Sequence, residues 1–220
     1  MLKTRHIVAV VFASFFTINT ASALEMTSRQ VRLGSSLTLA SAQKAAEKLF
    51  KLDAEGNEPI LLLIGTRDGY APAAMVVVDA ISVIRSKVYA VIQAEAFGPG
   101  AVVAIFCNKR FAFPHASFLF NKLEYENKKT MKEKPPLPVK AANAYLNRIN
   151  GKIAKKVGLS LKAFTKKSEA GWFLTAEEAK KNDIIDEIVE RVNWVDLVVE
   201  TVEIKRSSTI KEKRPILSPK

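Results

Sequence analysis

Residues 59–69 read Pro-Ile-Leu-Leu-Leu-Ile-Gly-Thr-Arg-Asp-Gly, an apolar run that ends in a glycine-containing turn. The continuous run Ile60–Ile64 is typical of a parallel strand that is buried on both faces. A helical pattern over Ser41–Leu52 precedes it, with Ser41 at the N-cap position, and a second helical pattern over Ala73–Ile84 follows it. Another apolar run, Val88–Ile92, comes next. This alternation predicts an α/β fold whose parallel sheet is built from right-handed crossovers.

The rest of the chain is predicted from similar local signals. Thr175 and Glu178 have the spacing of a capping box at the start of a short helix. The other predicted elements are a strand and turn at Arg29–Leu39, helices at Ala101–Phe106, Val139–Val157, Leu161–Lys167 and Thr175–Lys181, and strands at Arg110–Phe113, Ser117–Phe120, Ile184–Val189 and Val195–Ile204.

The first 23 residues have the layout of a secretory signal peptide. Lys3 and Arg5 precede the apolar run Ile7–Ile18, and small residues end at Ala23, where cleavage is expected. As a helix this run would span about 18 Å, too short for a hydrocarbon core of about 30 Å. We therefore expect an exported protein, most simply in a bacterial periplasm, that does not span the membrane after cleavage. The mature chain then comprises one domain, residues 24–200, and a basic tail, residues 201–220.

Composition limits the chemistry that the chain can carry. Its 220 residues include one Cys and two His, which excludes an internal disulfide and predicts neither a metal site nor a cofactor.

The formal net charge is +12. Residues 122–167 hold thirteen Lys and Arg residues against three acids. This charge indicates either a solvated face or a surface for an anionic envelope component. The candidate contacts are Lys128, Lys129, Lys152, Lys155 and Lys156. Because no nucleic-acid motif is present, no nucleic-acid partner is expected.

Four segments, in this order, resemble the ClpP-type peptidases of the ClpP and crotonase superfamily. They are the strand and glycine turn at 59–69, the stretch Gly98-Pro99-Gly100-Ala101, the residues Lys109-Arg110-Phe111 with Pro114, and the closing segment 172–186. The resemblance covers roughly residues 29–189. It implies stacked ββα units with a projecting helix, the handle, at about 122–167. It also implies assembly into homo-oligomers, because the family forms rings.

The resemblance also locates the positions of the family's Ser-His-Asp triad. The nucleophile elbow, a Ser followed by Met-Gly-Ala in the family, matches Gly98, or Ala96 in an alternative register. The His matches Asn121 and the Asp matches Gly171. A peptidase of this kind needs a hydroxyl, a base and an orienting carboxylate. None of the three matched residues supplies its group.

The oxyanion positions differ from the family pattern as well. The residue after the nucleophile, whose N–H would donate to the oxyanion, matches Pro99, which has no N–H. In the glycine turn, one family glycine matches Asp68, so that only Gly69 remains. The sequence therefore predicts a member that has lost the family reaction.

A relocated reaction remains an alternative. Asp68 and Glu95 would flank the pocket as a paired acid and base, and Cys107 is the one thiol. Cys107 is more simply a buried structural residue, and His115 a turn residue. A Ser–Lys dyad would have Lys122, Lys128 or Lys152 available but lacks a Ser at the elbow. Three functions follow as hypotheses: an inactive homologue that acts through assembly or binding, a hydrolase with a relocated site, and a basic binding module.

Overall fold

The computed structural model describes residues 23–121 and 137–194, which form eleven strands and six helices. In chain order these are β1 (Ala23–Met26), β2 (Gln30–Leu33), β3 (Ser36–Leu37), α1 (Leu39–Glu55), β4 (Ile60–Thr66), β5 (Asp68–Gly69), α2 (Ala71–Val83), β6 (Val88–Phe97), α3 (Pro99–Phe106), β7 (Lys109–Ala112), β8 (Ser117–Phe120), α4 (Leu137–Lys156), α5 (Leu161–Glu169), β9 (Trp172–Thr175), α6 (Ala176–Lys181), β10 (Glu187–Ile188) and β11 (Arg191–Trp194).

A seven-stranded sheet organises the molecule. Its main path runs β10-β7-β6-β4-β2, and every pair along this path is parallel. Strand β8 also pairs parallel with β6, and β9 adds to β8 in the antiparallel sense. The predicted parallel α/β architecture is confirmed. Two small parallel pairs, β1 with β11 and β3 with β5, lie outside this sheet.

Strand β4 supplies side chains to two separate apolar clusters. Ile60, Leu62 and Ile64 pack in the main core with the helices, whereas Leu61 and Leu63 pack on the opposite face. Successive side chains of a strand point to opposite faces, so a continuous apolar run fits a strand that is covered on both sides. The quoted run is therefore the strand that both cores share.

Strand β6 changes its neighbour part-way along its length. Its first residues pair with β7 and its last residues pair with β8. Between the two halves the register with β4 shifts, because Ile64 pairs with Ile92 but Thr66 pairs with Ala96. An irregularity of this kind bends the strand and redirects its end. The end of β6 is consequently placed beside the end of β8.

Two sequence predictions need correction. The N-cap of α1 is Thr38, not Ser41: the Thr38 hydroxyl accepts from the Ser41 N–H, and the Ser41 hydroxyl accepts from the Thr38 N–H. The predicted strand Ile184–Val189 is reduced to Glu187–Ile188, because the preceding turn holds Asp183 at a φ of 56°. The capping box of Thr175 and Glu178 forms as predicted.

Helix α4 and most of helix α5 make up the described part of the handle region, residues 122–167. The C-terminal half of α4 packs into the main core through Leu146, Ile149 and Ile153, whereas Tyr145 is 37% exposed. Residues 140–145 of the preceding half contain no buried side chain. The start of helix α4 is thus less buried than its end.

Several predicted features lie outside the described residues. These are the signal peptide apart from Ala23, the strand at Val195–Ile204, the tail at 201–220, and the residues Lys122, Lys128 and Lys129. Within 23–121 and 137–194, no helix is long and apolar enough to cross a membrane.

Substitution of Gly100 tests the contact between α3 and β4. A Cβ at Gly100 would lie 2.7 Å from the Thr66 Cβ and 3.2 Å from the Thr66 carbonyl oxygen, whereas a Cβ at Gly151 in α4 would meet nothing within 4 Å. We expect Gly100→Ala to lower the free energy of unfolding by about 1–3 kcal/mol. Gly151→Ala should raise it by up to about 1 kcal/mol. Urea denaturation measures both, and a shift of the same sign in the two variants would contradict this packing.

Candidate functional site

Gly98 occupies a sharp turn between β6 and α3. Its backbone has φ 49° and ψ −111°, a conformation that L side chains rarely adopt. The Gly98 N–H donates to the Leu119 carbonyl at 2.8 Å, which ties the turn to β8. A Cβ built at Gly98 meets no other atom within 4 Å. A side chain at this position would therefore extend into open space, which is the geometry of a nucleophile elbow.

The three positions matched to the family triad lie at one edge of the sheet. Asn121 directly follows β8 and is exposed, and Gly171 directly precedes β9. Because β8 and β9 are antiparallel, with Phe120 opposite Trp172, these two residues are neighbours. A Cβ built on Gly171 would lie 3.5 Å from Asn121 Oδ1. The Gly98 turn reaches the same edge through Leu119, two residues before Asn121.

The alternative elbow register at Ala96 does not fit this geometry. Ala96 is fully buried inside β6, paired with Thr66 on one side and with Phe118 on the other. It therefore does not lie at the turn between strand and helix.

Backbone donors near the elbow are limited. Pro99 is the first residue of α3 and carries no N–H. In the turn after β4, the Arg67 and Asp68 N–H groups both donate to the Ser35 carbonyl, and the Tyr70 N–H donates to the Leu37 carbonyl. These donors are thus occupied by the chain itself. Gly69, at φ 144°, approaches β3 so closely that a Cβ would lie 2.5 Å from the Leu37 oxygen.

Asp68 and Glu95 line one open cleft of about 460 Å³, together with Arg67. Glu95 is engaged by Arg67, whose Nε and Nη2 donate to its two carboxylate oxygens at 2.8 and 3.1 Å. These hydrogen bonds hold the pKa of the Glu95 carboxyl below its ordinary value. Glu95 therefore stays ionised near neutral pH and has no proton to donate as a general acid. Sequence reasoning did not identify Arg67.

Cys107 lies away from this cleft, at the far end of α3 from Gly98. Its thiol is buried and donates to the Val103 carbonyl at 3.5 Å. Burial raises the pKa of the Cys107 thiol to about 12. The thiolate is the nucleophilic form, so this residue is inert at neutral pH. The burial of Cys107 agrees with the structural role that the sequence favoured, and Cys107 does not line the cleft that holds Asp68 and Glu95.

The remaining candidates are also distant from the elbow. His115 is exposed in the turn before β8, at the opposite end of that strand from Leu119. Its charge acts on Glu177 of α6, whose pKa is lowered first by hydrogen bonding at the helix start and least by His115. Lys152, Lys155 and Lys156 are exposed along α4.

Aromatic side chains support the edge that carries the elbow. The Phe97 ring, one residue before Gly98, meets the Phe173 ring edge-on at 6.3 Å. Phe120 contacts both Phe164 and Trp172, at 6.4 and 5.5 Å between ring centroids. These contacts join the ends of β6, β8 and β9 to α5.

A parallel sheet whose strand turns sharply into a helix, with flanking strands beside that turn, defines an α/β protein with a nucleophile-elbow type of turn. Residues 17–192 match the family model described as Clp protease. The chain therefore belongs to the Clp protease family.

Individual relatives have low sequence identity to this chain but match most of its length. The chain is 27% identical over 166 residues to the ATP-dependent Clp protease proteolytic subunit 1 of Bacillus cereus, covering 74% of this chain and 86% of that protein. It is 24% identical over 164 residues to proteolytic subunit 3 of Synechococcus sp., covering 73% and 82%. A solved ClpP1 mutant from Listeria monocytogenes matches with a TM-score of 0.66 and 24% identity, over 74% of this chain and 92% of that one, which supports the fold.

Thiol labelling tests the placement of Cys107. With a pKa of about 12, the thiolate fraction at pH 8 is roughly one part in ten thousand. We expect the native chain to react very slowly with a disulfide reagent and the urea-unfolded chain to release one equivalent at once. The control is Cys107→Ala combined with Lys155→Cys, which places the thiol on an exposed site and should react rapidly when native. Rapid labelling of native Cys107 would restore it as a candidate nucleophile.

Proposed function

We propose that this protein is a catalytically inactive member of the Clp protease family that acts through assembly or binding. One observation carries the proposal: the elbow turn at Gly98 adjoins Asn121 and Gly171 without a hydroxyl, an imidazole or a carboxylate among them. The backbone that would present a nucleophile has the required form, while the reacting groups are missing.

The energetics support loss of the reaction. Serine catalysis needs a base within hydrogen-bond reach of the hydroxyl, and a third group that orients the base. An amide such as that of Asn121 cannot take the proton near neutral pH. A single oxyanion donor is worth about 2.7–4 kcal/mol of transition-state stabilisation. The proline at position 99 removes one such donor in addition to the three side-chain roles.

A hydrolase with a relocated site is the alternative. It would rely on Asp68 and Glu95, which line one cleft together with Arg67. The bidentate ion pair between Arg67 and Glu95 argues against a relocated site. The pair keeps the Glu95 carboxylate charged and directs both carboxylate oxygens to the Arg67 guanidinium. Among the described residues that line this cleft, no nucleophile contacts a base.

Labelling with a fluorophosphonate tests the proposal. The purified mature chain should show neither covalent labelling nor hydrolysis of fluorogenic peptides, because no activated serine is present. An inactive site would be contradicted if any serine is labelled in the native chain and is not labelled after the chain has been denatured. Retained peptide hydrolysis that falls in Asp68→Asn or Glu95→Gln would instead support the relocated hydrolase.

A reconstruction provides the matched positive control. The combined variant Gly98→Ser, Pro99→Met, Asn121→His and Gly171→Asp restores the three side chains and the missing N–H. We expect it to gain fluorophosphonate labelling at position 98, whereas Gly98→Ser alone should gain little because it still lacks a base. If the combined variant folds and stays unlabelled, the assignment of these positions to the triad is incorrect.

Export and homo-oligomerisation belong to the same proposal. Relatives are named as proteolytic subunits, and the first residues have signal-peptide character. Native mass spectrometry of protein released from the periplasm should show a subunit that begins at Leu24, assembled into a homo-oligomer. Because the basic α4 helices repel one another less when screened, the assembly should grow with salt. A chain that keeps Met1, or a monomer at every salt concentration, would contradict this part.

The basic face offers a second candidate function. Helices α4 and α5 and their connection carry eight Lys and Arg residues and one acid, Glu169. Lys152, Lys155 and Lys156 are exposed there. We infer that this face attracts an anionic envelope component, with Lys128 and Lys129 as further candidate contacts. Retention on an anionic matrix should then fall steeply with salt, and salt-independent retention would argue against it.

A further inference from the structure

A cavity of about 430 Å³ lies where α2 and α3 end, beside the last residue of α4 and the start of β6. We call it the α2–α3 cavity. It is remote from the elbow, since α3 begins at the elbow and ends here. Its apolar wall includes Val78, Ile81 and Phe106, and its charged lining consists of Arg85, Lys87 and Lys156. Among the described residues that line it, none is Asp or Glu.

Arg85 is already partly neutralised. Its Nε lies 3.6 Å from Asp53 Oδ2, and its Nη2 donates to the Asp53 carbonyl at 3.1 Å. Asp53 Oδ1 also accepts from the Arg85 and Ser86 N–H groups and from the Ser86 hydroxyl. These hydrogen bonds, chiefly that from the Ser86 N–H, lower the pKa of Asp53. Asp53 and Arg85 therefore form a nearly neutral structural unit at the rim.

Lys87 and Lys156 have no comparable carboxylate partner among the described residues. Across residues 23–121 and 137–194, no ion pair joins either ammonium to a carboxylate. The Lys156 Nζ lies 5.5 Å from the centre of the Phe106 ring, which holds this ammonium against the apolar wall. The cavity thus places two uncompensated cations beside buried apolar side chains.

The helix ends at the cavity do not cancel this charge. Each helix C-terminus carries about half a negative charge. The ends of α2, α3 and α4 together contribute about one and a half negative charges, against the two ammonium groups of Lys87 and Lys156 that line the cavity. The balance stays positive and favours an anion.

We propose that the α2–α3 cavity binds a small amphipathic anion. Its phosphate, sulfate or carboxylate group would lie between Lys87 and Lys156, and its apolar body would contact Phe106 and the accessible edges of Val78 and Ile81. Inorganic phosphate would leave the apolar wall uncovered, and a neutral amphiphile would leave the two ammonium groups unpaired. This site is independent of the elbow and of assembly.

Calorimetric titration with octyl phosphate below its micelle concentration tests the proposal on the mature protein. Octyl glucoside supplies the same tail without charge, and inorganic phosphate supplies the charge without the tail. We expect octyl phosphate to bind at least tenfold more tightly than either. Equal affinity for octyl glucoside, or no measurable binding of octyl phosphate, would overturn the proposal.

Three substitutions locate the binding. Lys87→Met and Lys156→Met should each weaken octyl phosphate binding about tenfold, because each removes one charge-assisted contact. Lys155→Met removes the same charge from the adjacent position of α4, which does not line the cavity, and should change the affinity less than twofold. An equal loss in all three variants would show diffuse attraction to the basic face and would overturn the site. Lys87 lies outside every helix, so its variant stays informative if Lys156→Met perturbs α4.

Discussion

The bend in strand β6 is the constraint on which the candidate site depends. From Ile64 to Thr66, β4 advances by two residues, whereas its partner β6 advances by four, from Ile92 to Ala96. The extra residues end the pairing of β6 with β7 and begin its pairing with β8. Without this shift the Gly98 N–H would not meet the Leu119 carbonyl, and the elbow would not adjoin Asn121. The second face of the sheet depends on the straight part of the same strand, where Val91 packs with Leu61 and Leu63.

Elements with strong local signals were predictable from the sequence. The continuous run at β4 and the capping box at Thr175 depend on neighbouring residues alone. By contrast, β1 and β11 were missed because each short strand is defined by its pairing with the other, between distant parts of the chain. The N-cap of α1 was misplaced because Thr38 and Ser41 both carry hydroxyls in one turn, and the sequence does not show which of them precedes the helix.

The candidate site was likewise predictable only in part from the sequence. The order and spacing of family motifs led to Gly98, Asn121 and Gly171, and these residues prove to be neighbours because three strands end at one edge. The ion pair of Arg67 with Glu95 was not predictable, since it joins the turn after β4 to the bent segment of β6. The burial of Cys107 was predictable, because a lone thiol in an apolar helix is most simply a structural core residue.

The residues found at the elbow suit the backbone of the turn. A non-glycine residue at φ 49° and ψ −111° would store about 1–3 kcal/mol of backbone strain, which active sites tolerate because it positions a reacting group. Glycine adopts the same turn without that strain. Proline suits the first position of α3, where its missing N–H costs the helix nothing. Gly98 therefore avoids a backbone strain that active sites tolerate, and Pro99 adds no cost of its own. A scaffold that keeps the sheet and the elbow turn without this strain fits the proposed role in assembly or binding, because neither role needs a strained reacting group.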